Sequence, residues 1–136
     1  MLFKILIGAI AFVHILFLIV QMFLWQTDFV QNQVVNFQPE EIAAILAHNQ
    51  GLYNGFLAAG LIWGLFGVPS SQVKPILTFL LILIAIAGIY GSITLHRPTA
   101  FVLQSLPAAF ALLLLWVPKQ KKHHRIRLVD CKLAAF

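Results

Sequence analysis

His48-Asn49-Gln50-Gly51-Leu52-Tyr53-Asn54-Gly55-Phe56-Leu57-Ala58-Ala59-Gly60-Leu61-Ile62-Trp63-Gly64 opens polar and ends apolar. Three amide side chains and a tyrosine stand where an apolar run begins. Glycines at 51 and 55, then at 60 and 64, keep one side of the stretch thin. Gly-x-x-x-Gly spacing lets helices approach closely in membranes. Its ordinary use is packing inside one chain; a homodimer face is the rarer use.

Working outward, the same grading recurs along the chain. Of its 136 residues, 61% are hydrophobic and 10% charged, where a soluble domain carries roughly a quarter charged residues. The apolar residues gather in four runs, about 2–25, 51–67, 76–95 and 99–117. Each is near the ~20 residues that cross ~30 Å of hydrocarbon. None alternates as the strands of a membrane barrel do. The expected fold is all-α: a polytopic membrane protein, one domain over residues 1–118, with four transmembrane helices. The first run exceeds the ~7–15-residue apolar core of a signal peptide. No small-x-small cleavage pattern follows it, only Gln26-Thr27-Asp28. It reads as a first span.

Between the first two spans, Pro39-Glu40-Glu41 reads as a helix start, since proline suits the first position and acids suit the positive end of the dipole. Ile42, Ile45 and Leu46 would give a short amphipathic helix in the first external loop. Gly51 weakens a helix, so a break or bend is expected at Asn49-Gln50-Gly51. Pro75 is expected to start span three, His96-Arg97-Pro98 to end it, and Pro107 to bend span four.

The net charge of +5 points to orientation rather than to nucleic acid. Lys4, Lys74 and the cluster Lys119–Arg127 fall on one side of four spans. Arg97, Asp28, Glu40 and Glu41 fall on the other. The positive-inside rule then makes both termini cytoplasmic. Residues 119–128 read as a basic cytoplasmic tail lying against anionic lipid. Residues 129–136 read as expression-vector residue, because Val129-Asp130, Lys132-Leu133 and Ala134-Ala135 are dipeptides that cloning sites encode. Cys131 stands alone, so no internal disulfide forms.

In that frame the polar residues of the spans collect in the outer half. Gln21 is late in span one, and Asn49, Gln50, Tyr53 and Asn54 are early in span two. Tyr90, Ser92 and Thr94 are late in span three, and Gln104 and Ser105 early in span four. The inner half is apolar apart from Thr78. His14 lies between, where hydrocarbon favours the neutral imidazole. Polar groups in lipid are costly unless paired or hydrated. They should therefore face one another in a chamber open to the outside, with free N–H groups at the start of span two favouring an anion or carbonyl oxygen. The expected ligand contacts are His14, Gln21, Asn49, Gln50, Tyr53 and Asn54. The same residues could equally serve as glue between helices. No metal and no cofactor is expected, since His14, His48 and His96 are dispersed and His123-His124 reads as solvated charge.

His14, Gln21-Met22-Phe23-Leu24-Trp25 and Asn49-Gln50-Gly51-Leu52-Tyr53-Asn54-Gly55 together resemble a family. It is that of the small four-helix bacterial membrane proteins catalogued as domain of unknown function 1304. The resemblance extends to about Trp116, and its most specific part is Asn-Gln-Gly-x-Tyr-Asn-Gly. It implies a four-helix fold in the bacterial cell (inner) membrane, and brings no activity with it. Where the family pattern carries a glutamate this chain has Gln21, and an amide cannot titrate.

Three functions are compatible with these residues. One is a protein that binds a small molecule or lipid-like ligand in the outer chamber. Another is an intramembrane isomerase or hydrolase with His14 as proton shuttle and Asn54 or Tyr53 orienting the substrate. The third is an accessory subunit. No carboxylate lies within a span, against proton-coupled cation export. The apolar inner half favours a one-sided site over a channel.

Overall fold

The computed structural model describes residues 1–35 and 41–117. The expected helix start at Pro39-Glu40, the basic tail 119–128 and the segment 129–136 with Cys131 lie outside the described residues. Among the described residues there are helices and turns and no strand. Helix α1 is Leu2–Leu24, its last turn Val20–Leu24 wound as a π-helix. Helix α2 is Glu41–Phe66 and α3 is Ser70–Thr94. Helix α4 is Phe101–Trp116, opening with a π-helical turn over Phe101–Ser105. Two helices, α1 and α3, are long and apolar enough to cross a membrane by length and composition; α4 is apolar but shorter. Helix α2 has the length, but carries His48, Asn49 and Gln50 in its first half and Asn54 at its middle.

The helices form a ring in which α1 packs on α2, α2 on α3, α3 on α4, and α4 back on α1. The stripes that meet inside are built from small and medium side chains. On α2 the buried positions among the described residues are Ala44, Ala47, Gly51, Asn54, Ala58, Leu61, Gly64 and Leu65. These steps of three and four keep one face of a helix turned to its neighbours. Helix α3 contributes Leu77, Leu81, Ile84 and Gly88, and α4 contributes Ser105, Ala108 and Ala111. Helix α1 adds Ile7, Ile10, Ala11 and His14.

The glycines of the opening stretch are used inside the chain, each pair toward a different neighbour. A Cβ on Gly51 would lie 2.7 Å from Met22 Cγ and 3.2 Å from the Met22 backbone nitrogen on α1. One on Gly64 would lie 2.8 Å from Leu77 Cδ2 on α3.

Three expectations are corrected. Helix α2 does not break at Asn49-Gln50-Gly51; its buried stripe runs through all three, because the bare backbone of Gly51 is what α1 packs against. Its first turns turn Ala44 and Ala47 inward and leave Ile45 and Leu46 exposed, so the apolar face drawn on Ile45 and Leu46 points away from the bundle. Pro75 lies inside α3, which starts at Ser70 after Pro69. At the sixth residue it lies just past the four N–H groups that lack partners, so α3 gives up one backbone hydrogen bond there.

Two ends are built from local chemistry. Thr27 closes α1 and opens the next turn, its Oγ1 donating to Leu24 O at 2.7 Å and accepting from Val30 N at 3.4 Å. A π-helical stretch over Val30–Val35 follows. At the α3–α4 corner His96 is left-handed, with φ 51°. Its N–H donates to Ile93 O at 3.3 Å, and Arg97 N–H donates to Ser92 O at 3.2 Å. This is the paired-bond helix ending that glycine usually makes. Ser92 Oγ also accepts from Phe101 N at 2.8 Å, so one residue ends α3 and starts α4.

Gly88 is the tightest backbone approach between α3 and α4. A Cβ there would lie 2.9 Å from Ala100 O and 2.9 Å from Gln104 Cβ, whereas one on Gly8 meets nothing within 4 Å. Gly88→Ala is therefore expected to destabilise by about 1–3 kcal/mol through overpacking. Gly8→Ala should be neutral or slightly stabilising, as alanine is the better helix former. Thermal unfolding of both variants in detergent, followed by circular dichroism, measures the contrast.

Candidate functional site

The polar residues expected to converge do so in part. Gln21 and Asn54 meet across the α1–α2 seam, Asn54 Nδ2 donating to Gln21 Oε1 at 2.8 Å. The same Nδ2 donates within its helix to Gln50 O at 3.0 Å. Two features of the backbone position this bridge. Gly51 and Gly55 let α1 come close enough for side chains as short as Asn to reach across. The π-helical turn Val20–Leu24 carries Gln21, and such turns shift the direction of the side chains they hold. Both Nδ2 hydrogens of Asn54 are engaged. Gln21 Nε2 and Asn54 Oδ1 are left as the unused halves of the pair among the described residues.

The other expected contacts lie elsewhere. Asn49, Gln50 and Tyr53 are exposed, Tyr53 at 59% with its ring edge-on to Phe56. They share an end of the bundle with the amide bridge but do not close over it. His14 is fully buried. Its Nδ1 lies 2.9 Å from Ile10 O, and a carbonyl can only accept, so Nδ1 carries the proton. Its ring meets Phe17 edge-on at 6.1 Å between centroids. Nε2 is thus a buried acceptor with no partner among the described residues. No hydrogen bond joins His14 to Asn54 or Tyr53, so the expected six-residue constellation resolves into one bridge, one buried imidazole and three exposed groups.

The free N–H groups expected at the start of span two are also absent, because α2 continues through Gly51 and those groups bond within the helix. Nor does the described cavity lie at the amide end. An open cavity of about 760 Å³ sits at the opposite end, lined among others by Phe3, Lys4, Leu65, Val73, Lys74 and Trp116. Among the described residues no group of three or more His, Cys, Asp or Glu side chains is clustered to hold a metal ion.

Two further polar contacts lie outside the six expected ligand residues. Ser105 is buried and donates to Ala85 O at 2.8 Å, tying α4 to α3 beside Gly88. At the other end Trp116 Nε1 donates to Thr78 Oγ1 at 3.1 Å, and Lys74 Nζ stands 3.8 Å above the Trp116 ring. The signal for the second was present. Thr78 is the lone polar residue of the inner half, Lys74 lies four residues before it on the same helix face, and Trp116 ends an apolar run.

Fold and site together define an all-helical bundle whose seams are lined by small residues and crossed by one amide bridge. The chain belongs to the family described as Protein of unknown function (DUF1304), whose model matches residues 8–116. All six expected contact residues fall inside that match. The chain is also similar to "Uncharacterized protein YpaA" of Lactococcus lactis subsp. lactis (strain IL1403), 37% identical over 70 residues. That alignment covers 48% of this chain and 57% of the relative, so little more than half of the relative is spanned. No solved structure matches.

If the bridge forms as described, Gln21→Ala and Asn54→Ala are not independent. A double-mutant cycle on unfolding in detergent should give a coupling of about 0.6–1.7 kcal/mol, the range for hydrogen bonds between membrane helices. Additive losses would show that the two amides do not meet.

Proposed function

We propose that this is a four-span protein of the bacterial cell membrane, both termini cytoplasmic, whose amide end binds a small polar or lipid-like molecule. Several observations support the membrane part. Large apolar side chains face outward around the whole bundle, with Phe12 58%, Phe66 75% and Phe79 63% exposed. The inside is aliphatic, with Ile7, Ile10, Leu61, Leu77, Leu81 and Ile84 beside Ala11, Ala58, Ala108 and Ala111, and no Phe or Trp among the described residues is buried. Water would drive the exposed rings inward. In lipid the large side chains lose nothing by staying outside, and small residues bring the helices together. At ~1.5 Å per residue, the 26 residues of α2 exceed the ~30 Å hydrocarbon core, with the excess at its polar start.

The ligand reading is carried by the Gln21–Asn54 bridge. It leaves an amide N–H of Gln21 and the amide oxygen of Asn54 unused by each other. That pair suits a hydroxyl, a carboxylic acid or another amide, each of which can donate and accept. Asn49, Gln50 and Tyr53 stand around the same end as further donors and acceptors. His14 lies beneath, walled off by packing, and takes no direct part. A second reading is that the bridge only fastens α1 to α2, and the closed 2.8 Å bond favours it.

Native mass spectrometry of the full chain in mild detergent separates the two. A ligand site gives a reproducible adduct that Gln21→Leu and Asn54→Leu abolish while the helical spectrum is kept. No adduct on the unaltered chain, with lowered stability in both variants, selects the fastening role. The topology is checked in a Cys131→Ser background. Tyr53→Cys should react with an impermeant maleimide added outside, and Ser70→Cys only after permeabilisation.

A further inference from the structure

At the end of the bundle away from the amide bridge, we infer a binding site for one anionic phospholipid. Its acyl chain would lie in the cavity between the ends of the helices, and its phosphate would meet Lys4 and Lys74. The cavity, about 760 Å³, falls within the ~300–1,000 Å³ usual for ligand sites. Its walls are largely apolar, with Phe3, Leu65, Val73 and Leu115 among them, and two lysines stand in its lining. Grease on the walls with cations beside it matches an amphiphile whose head is negative.

The Lys74 charge is held in place. Its ammonium lies 3.8 Å above the Trp116 ring, and that ring is fixed in turn by the 3.1 Å bond to Thr78 Oγ1. A cation over an indole face is attracted by the ring and keeps its N–H donors for a phosphate. No carboxylate competes at this end among the described residues. Asp28 follows α1 and Glu41 opens α2, both beyond the amide end. The cavity takes residues from the start of α1, the end of α2, the start of α3 and the end of α4. If these helices cross a bilayer, that is the level of the headgroups on the cytoplasmic face, where anionic lipid attracts lysine.

Charge also selects among occupants. The chain's own continuation after Val117 brings Lys119, Lys121, Lys122, Arg125 and Arg127, which repel Lys4 and Lys74. A second copy would bring another net +5. Of these three, the phospholipid is the one that supplies both an apolar chain and the opposite charge.

The inference rests on the membrane reading but not on the amide-end ligand, and the test keeps them apart. The full chain is first fractionated without detergent; recovery in the aqueous fraction would remove the membrane reading itself. Detergent-purified protein is then titrated with phosphatidylglycerol or phosphatidylcholine and read by native mass spectrometry. One phosphatidylglycerol should be held in preference to phosphatidylcholine. Lys4→Gln and Lys74→Gln should each weaken it about fivefold, and Lys74→Arg should retain it. Gln21→Leu should leave it unchanged. Equal retention of the two lipids, indifference to both glutamine variants, or displacement by millimolar inorganic phosphate would each overturn the proposal. So would an unaltered chain that takes neither lipid, as a groove filled by the tail or by a second copy would give.

Discussion

The bundle depends on how close α1 and α2 can come at Gly51 and Gly55. The backbone of α2 rests against Met22 and Leu18 with no Cβ between them. That contact fixes the seam on which the amide bridge stands, since Asn54 is too short to reach Gln21 across a wider gap. It also accounts for the unbroken course of α2. An isolated glycine costs a helix ~1 kcal/mol, but here its absent side chain is the condition for packing. The helix propensity of one residue is outweighed by contacts along the whole interface.

A second regularity follows from the same economy of volume. Seams combine Gly, Ala and Ser with Leu and Ile, while Phe and Trp stay out of them. Buried Ser105 meets the carbonyl of Ala85 where Gly88 leaves room for it. The Asn54–Gln21 and Ser105–Ala85 bonds sit where a small residue has let the backbones close up, whereas Trp116 reaches Thr78 with a long side chain. Aromatic bulk is kept out of the seams, whereas aliphatic side chains stand on both sides of the helices.

Much of this was legible before any coordinates. The limits of the apolar runs fall within a few residues of α1, α4, and the ends of α2 and α3, because Trp25, Val68-Pro69 and His96-Arg97-Pro98 punctuate them. Gln21 and Asn54 stood out as polar groups in apolar surroundings. What could not be read was which polar groups would meet. That depends on helix rotation, and on α1 the rotation is altered by a π-helical turn with no sequence signature. The apolar face of Ile45 and Leu46 was legible, but not that Ala44 and Ala47 would be the residues turned inward. Lys74 was read for its sign alone. Its placement over Trp116 needed the α3–α4 crossing, which the linear chain does not display.

The π-helical turns in α1 and α4 carry a further implication. Each takes an extra residue to complete its loop, so each resembles an insertion accommodated without breaking the helix. Removing one residue from Val20–Leu24 would let the backbone relax to ordinary winding. The residues on either side would keep their faces, because the wide turn already absorbs the extra residue, and only the side chains within the turn would change places. Relatives differing by one residue at this point would then keep the same core while offering a different side chain to Asn54. Length variation confined to these two turns could therefore diversify the amide end without disturbing the packing beneath it.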